Sequence, residues 1–258
     1  MIKQFIQNRR SQRIAVAVEN PKNQKGLAFV MHGAGGFKEQ EQIRVMAQSL
    51  NEHGYSVVTF DATDSLGESD GRIDEISTTD NLHDLEDVIA WAKTQQWFIS
   101  PFVLAGHSLG SMCCLIYAEQ HPTEIKALAP LSAVVSGKLL LLSPDLRKVK
   151  GMWKETQWLI TGSKSKPGAI KKMPWSFITD IQKYDALPQA HVLTMPILMA
   201  VGEDDPTTPL VHQKKLYAAL PTGNKEFHIL KKSFHTFRNK EELLELKTIF
   251  DRWLDSLG

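Results

Sequence analysis

The sequence predicts an α/β protein, a mostly parallel central sheet flanked by helices with a small insertion late in the chain. Two observations predict it. Short β-branched or aromatic runs alternate with longer segments of helical period, the pattern of βαβ units. Most of those runs are apolar nearly throughout, as strands covered on both faces are. At 258 residues the chain can form one large domain, 1–258.

In chain order, Ile14-Ala15-Val16-Ala17-Val18 opens the strand series over 14–18, and Leu27-Ala28-Phe29-Val30-Met31 follows over 27–31. A helix is expected over 40–51, then a strand over 56–60 (Ser56-Val57-Val58-Thr59-Phe60) and a helix over 79–94. The apolar strand at 102–105 runs through a glycine-flanked turn into a helix over 109–120, and a strand at 127–131 comes next. Residues 133–178 break the alternation. Their Gly137, Pro144, Gly151, Gly162, Pro167, Gly168 and Pro174 punctuate loops and short helices with no clear strand–helix pair, so they form the insertion. Strands at 197–201 and 226–230 alternate with helices at 210–220 and 241–257 to complete the pattern. In the last helix Leu243, Leu246, Ile249, Phe250 and Trp253 recur at helical spacing, a core-facing stripe.

Composition excludes several classes. The chain carries 30 Lys plus Arg against 29 Asp plus Glu, a net of +1, with 42% hydrophobic and 23% charged residues. That is neither a polybasic nucleic-acid arm nor a disordered acidic chain. The first ten residues hold no apolar core of a signal peptide, and no window suggests a membrane-spanning helix. Cys113 and Cys114 are adjacent, which strains any bridge between them, so they read as small buried hydrophobes in a reducing, cytoplasmic setting.

The chemistry concentrates at Gly106-His107-Ser108-Leu109-Gly110. A serine on a tight strand-to-helix turn projects its hydroxyl above the sheet edge, and flanking glycines remove side chains that would collide there. Serine alone is a poor nucleophile and needs a base oriented by a third group. The expected chain order is serine, acid, histidine. After the strand at 197–201 come Gly202-Glu203-Asp204-Asp205, three consecutive carboxylates at the sheet edge where open α/β folds bind ligands. Any of the three can be the acid. After the strand at 226–230 comes a loop with His235. Of nine histidines only this one follows a strand behind an acid-bearing loop. His53, His83, His121 and His212 fall on helices or their ends as solvated residues, His228 lies in a strand, His191 precedes one, and His107 points back into the fold. Acyl chemistry also needs N–H donors for the developing oxyanion. Leu109 supplies one, and the loop His32-Gly33-Ala34-Gly35-Gly36 should supply the second. That loop lacks both nucleotide-binding glycine signatures, and no Cys/His cluster has metal-ligand spacing, so no cofactor or metal is expected.

Together these residues resemble the α/β-hydrolase superfamily, notably its compact serine esterases and lipases of the cinnamoyl/feruloyl-esterase-like, monoacylglycerol-lipase-like or serine-aminopeptidase-like kinds. The resemblance runs from about residue 14 to 257 and weakens in the insertion. It implies an α/β-hydrolase fold and a serine hydrolase cleaving carboxylic esters through an acyl-enzyme on Ser108, with His235 as base. The family's Gly-x-x-Asp pattern implies Asp205 as the orienting acid with Asp204 in reserve, and its oxyanion loop implies Ala34 beside Leu109. Thioesterase, amidase or aminopeptidase chemistry would use the same triad, and a non-catalytic binding protein could keep the fold. One stretch departs from the family's Asp-x-x-Gly-x-Gly-x-Ser. Here Asp61-Ala62-Thr63-Asp64-Ser65-Leu66-Gly67-Glu68-Ser69 is one residue longer and lacks the first glycine.

The insertion is expected to cap the pocket. Residues 138–172 carry nine basic and two acidic side chains, +7, leaving 21 against 27, −6, elsewhere. Trp153, Trp158 and Trp175 lie in or beside it and are candidates for a substrate wall. The partner expected is a small ester, aromatic or acyl and anionic, with no nucleic acid and no integral membrane. Equally, the charges can be a solvated face and the tryptophans can pack on the body.

Overall fold

Ten strands and eight α-helices make up the computed structural model, which describes residues 1–221 and 223–257. The first six strands are β1 (Ile2–Gln7), β2 (Arg13–Glu19), β3 (Gly26–Met31), β4 (Tyr55–Phe60), β5 (Phe102–His107) and β6 (Ile125–Leu131). A separate antiparallel hairpin, β7 (Trp158–Gly162) and β8 (Ile170–Pro174), precedes β9 (Ile197–Gly202) and β10 (Lys225–Leu230). Eight strands share one sheet in the order β1-β2-β4-β3-β5-β6-β9-β10. Pairing is antiparallel from β1 through β2 to β4 and parallel from β4 onward.

Every residue of β3, β5 and β9 is buried, which explains their unbroken apolar runs. Period-two alternation divides β3 between two cores. Ala28 and Val30 meet helices α1 (Glu41–Glu52) and α8 (Lys240–Ser256) on one face. Leu27, Phe29 and Met31 meet the other face, where α2 (Thr78–Ala92) and α3 (Leu109–Gln120) pack. The stripe of α8 places Leu246, Phe250 and Trp253 in the first core, and a capping box of Asn239 with Glu242 starts that helix. Helix α3 is apolar all round and runs buried from Leu109 to Ala118. It contains Cys113 and Cys114 as free, buried thiols whose ionisation burial opposes.

Two parts differ from the expectation. Strand β1 is absent from the predicted series because only Ile6 of its six residues is buried, so the edge strand carries no alternation to read. The stretch 133–178 is more regular than predicted. Between β6 and β9, residues 132–196 form α4 (Gly137–Leu140), α5 (Pro144–Thr156), the β7–β8 hairpin and α6 (Trp175–Ile181). Trp153 is the one buried residue of α5, and β7 has none, so neither shows the apolar pattern of a core element. The last helix between strands, α7 (Leu210–Ala219), covers the β9 side. No described helix is long and apolar enough to cross a membrane.

Candidate active site

Ser108 is the single residue between β5 and α3, and its backbone has φ +57° and ψ −116°. A non-glycine residue holds a positive φ only when its surroundings impose it. Here they do. The Ser108 N–H donates to the Leu131 carbonyl at 3.0 Å, and its own carbonyl accepts from Val134 N–H at 3.2 Å. The turn also demands its glycines. A Cβ on Gly106 would stand 2.6 Å from Gly110 C, and one on Gly110 would stand 2.4 Å from the His32 carbonyl oxygen. Gly110→Ala is therefore expected to cost about 1–3 kcal/mol by overpacking against backbone. A thermal melt within a degree of wild type would refute this.

The Ser108 hydroxyl lies 2.9 Å from Nε2 of His235, whose Nδ1 lies 2.8 Å from Oδ2 of Asp205. Asp205 is buried just after β9, and Oδ1 accepts from the Thr207 N–H at 2.9 Å and the Thr208 N–H at 2.8 Å. The Thr208 hydroxyl is 2.7 Å from Oδ2. Burial raises the acid's pKa, but His235 and these donors outweigh it and bring Asp205 down to about 2. An ionised Asp205 fixes the proton of His235 on Nδ1, so Nε2 faces the serine as an acceptor. Of the three consecutive carboxylates, Glu203 and Asp204 are exposed, and Glu203 pairs with Lys231 at 2.8 Å.

The neighbouring loop abuts the serine, since a Cβ on Gly33 would stand 2.9 Å from that of Ser108. His32 anchors it from below. Its Nδ1 donates to the Gly33 carbonyl at 2.8 Å, and its Nε2 accepts from the Ala62 N–H at 3.0 Å. Burial pushes the His32 pKa down, which keeps the ring neutral for this pairing. Ala34 and Leu109 both border the cavity at Ser108. The Leu109 N–H belongs to the first turn of α3, where amides have no intrahelical acceptor.

Two cavities meet at Ser108. One, of about 340 Å³, is walled chiefly by apolar side chains including Val134, Leu140, Val149, Trp153, Phe177 and Ile178. The other, of about 620 Å³, includes His235, Gln40, Lys164, Lys171, Arg238 and Glu242 in its lining. Of the three candidate tryptophans, only Trp153 lines either of these two cavities. Its Nε1 donates to the Met173 carbonyl at 3.1 Å, and Trp175 packs edge-on against it at 6.0 Å. Trp158 sits under the Lys172 ammonium at 4.0 Å. Neither Trp158 nor Trp175 joins the wall, because both are spent on packing within the insertion.

A family model described as serine aminopeptidase, S33 (Hydrolase_4) matches residues 22–242. The chain belongs to this α/β-hydrolase family. Among its relatives, an uncharacterised 31.7 kDa protein from the traX-finO intergenic region of Escherichia coli is 24% identical over 232 residues, covering 78% of this chain and 80% of that one. The mitochondrial palmitoyl-protein thioesterase ABHD10 of Mus musculus is 22% identical over 210 residues, covering 80% and 67%. Among solved structures, Est1E from Butyrivibrio proteoclasticus with bound ferulic acid superposes with a TM-score of 0.79 at 19% identity, covering 98% of each chain.

Three features of this S33-family site lie outside the expectation from sequence. Thr208 supports Asp205 through both its amide and its hydroxyl, and an Asp followed closely by threonines is a recognisable turn signal. His107 is buried as expected, yet its Nε2 also donates to the His235 carbonyl at 2.8 Å and so braces the His235 loop. Burial and the nearby His235 push His107 down to about 3, which leaves it a neutral donor. Lys171 reaches from β8 to the Ala34 carbonyl at 3.1 Å. His212, expected to be solvated, is buried on α7. In the stretch that departs from the family pattern, Asp64 itself adopts φ +57° where the first glycine is missing, while Gly67 is needed because its Cβ would overlap the Asp61 carboxylate.

Proposed function

We propose that this protein hydrolyses carboxylic esters through an acyl-enzyme on Ser108. The observation that carries the reading is the continuous line of hydrogen bonds Asp205–His235–Ser108, at 2.8 and 2.9 Å. Nε2 of His235 takes the hydroxyl proton as Oγ attacks the carbonyl carbon, and the carbonyl π electrons move onto oxygen. The Ala34 and Leu109 N–H groups receive that oxyanion. The tetrahedral species collapses, the bond to the leaving oxygen breaks, and His235 returns the proton to it. Water, deprotonated by the same Nε2, then releases the acid and restores Ser108.

Residues 132–196 act in this reading as a cap over the body's sheet edge, and Trp153, Val149 and Phe177 hold the acyl group. Trp158 and Trp175 serve the cap by packing. The apolar cavity suits an alkyl or aryl acyl chain, and burying each methylene there is worth about 0.8 kcal/mol. An aminopeptidase substrate would instead set an α-ammonium on the acyl side. That wall offers Asp145 as carboxylate, which already accepts from the Thr207 hydroxyl at 2.8 Å and lies beside Lys148. A thioester is favoured as a second substrate by the relative described as a palmitoyl-protein thioesterase.

The test is a ladder of p-nitrophenyl esters, acetate to dodecanoate, with labelling of Ser108 by a fluorophosphonate. Labelling and a rise of kcat/KM with chain length up to the cavity's limit are expected. In Val149→Trp that limit should move to shorter chains, with at least about a tenfold loss on octanoate relative to acetate. An unchanged ladder would remove this cavity from the acyl site.

A further inference from the structure

The two cavities at Ser108 differ in what else they touch. The apolar one reaches Ser108 but not His235, whereas the polar one reaches both. A leaving group must accept its proton from His235 Nε2, so it departs on the His235 side. The polar cavity is thus the leaving-group side, and the acyl group takes the apolar one.

That side carries unneutralised positive charge. Lys171 on β8, Arg238 after the His235 loop and Lys164 in the hairpin turn all line it. Lys171 is half-buried, and among the described residues its ammonium has one hydrogen bond, to the neutral Ala34 carbonyl. Arg238 donates from Nη2 to the Thr236 hydroxyl at 2.6 Å. The two carboxylates in the same lining are engaged elsewhere. Glu242 accepts the Arg238 and Asn239 N–H groups at 2.9 and 3.1 Å, and Asp145 accepts from Thr207. Among the described residues, none of the three cations has a carboxylate at ion-pair distance. A part-buried ammonium without a counter-charge is costly to keep. Burial and Arg238 across the cavity push Lys171 down to about 8, the direction expected when that counter-charge is missing.

We propose that the polar cavity binds an anionic group, a carboxylate or a phosphate, carried on the leaving alcohol or thiol, with Lys171 and Arg238 as its ligands. The inference rests on the acyl-enzyme reading above. It turns the general positive charge of the insertion into a contact at one place. Lys171 stands where it touches both the oxyanion loop and the incoming anion, so the anion would settle the Ala34 loop as it binds. The charged and titratable groups around Lys171 are Arg238, Lys164, Asp145, Glu242 and His235, which share the cavity, with His32 and His107 held neutral by burial. Because kcat/KM reports the free enzyme, preference for an anionic ester should fade as pH rises through about 8.

The experiment compares three butyrate esters of matched leaving groups, 4-carboxyphenyl, 4-phosphonooxyphenyl and the neutral 4-carbamoylphenyl. Wild-type kcat/KM should favour at least one anionic ester by about tenfold at low salt, less in 0.5 M NaCl. The preferred anion identifies the source. Lys171→Met and Arg238→Gln should each lower the anionic ester about tenfold more than the neutral one. Equal losses on all three esters would make Lys171 a support of the Ala34 loop and overturn the inference. Wild-type preference for the neutral ester would overturn it while leaving ester hydrolysis standing. Failure to cleave any ester, with Ser108 unlabelled, would overturn the acyl-enzyme reading and this inference together.

Discussion

Ser108→Ala is expected to lower kcat on p-nitrophenyl butyrate by at least about 10⁴-fold and to abolish fluorophosphonate labelling. The substitution removes one oxygen and keeps the Cβ. The turn at φ +57° is held by backbone bonds to Leu131 and Val134, which the variant retains. His235 loses a partner at Nε2, but its side chain is 19% exposed and water can replace the hydroxyl. Stability should therefore change little, and a melt alongside the kinetics separates lost chemistry from lost fold. Serine and histidine act as one unit, so adding His235→Ala should lower the rate hardly further. Residual activity within tenfold of wild type would end the assignment of Ser108 as nucleophile.

Asp205→Asn should cost kcat about 10⁴-fold through the proton of His235 rather than through its position. Two N–H groups, of Thr207 and Thr208, converge on Oδ1, so the variant's carbonyl oxygen must lie there. The amide nitrogen then replaces Oδ2 and presents N–H to Nδ1 of His235. Nδ1 becomes an acceptor, the proton moves to Nε2, and the ring can no longer take the serine proton. The Thr208 hydroxyl, 2.7 Å from that position, can accept the second amide hydrogen, which holds the wrong arrangement in place. The substitution also has a stability signature. A carboxylate depressed from 3.8 to about 2 contributes stability that is present above its unfolded value and lost as pH falls toward the folded one. Asp205→Asn should flatten acid destabilisation between roughly pH 4 and 2. Near-wild-type kcat would show that the acid is not needed to set the tautomer.

The parts legible in the sequence are those whose meaning is local. Strand Phe102–His107, the glycines around Ser108 and the apolar helix after them are contiguous, so one short segment announces the turn. His235 follows from its place after a strand. The choice of Asp205 over Asp204 came from family spacing, because three adjacent acids look alike until a turn decides which points inward. Lys171 was one of nine basic residues in the insertion, and nothing local distinguishes it. Its place depends on the hairpin folding back onto the Ala34 loop, a contact 137 residues apart in sequence. The hairpin itself was invisible because strands that face solvent need not be apolar. The bracing of His235 by His107 has the same character, two residues far apart in the chain that become neighbours only when β5 meets the late loop.

The excursion 132–196 leaves the sheet from β6 and returns at β9, and these two strands are paired, Leu128 with Ile197 and Leu131 with Ala200. The pair is parallel, so the exit at Leu131 and the re-entry at Ile197 lie three residues apart in register, about 11 Å, and both ends are fixed by the same sheet. A segment hung from two fixed points of one sheet can be lengthened, shortened or exchanged without pulling on the frame, since each doubling of its length adds only about 0.6 kcal/mol of closure entropy. Ser108 lies before that exit, and Asp205 and His235 lie after the return. The insertion can therefore behave as a cassette. A graft from another member of the family would bring its own acyl wall and its own side chain in place of Lys171 to an unaltered set of reacting groups.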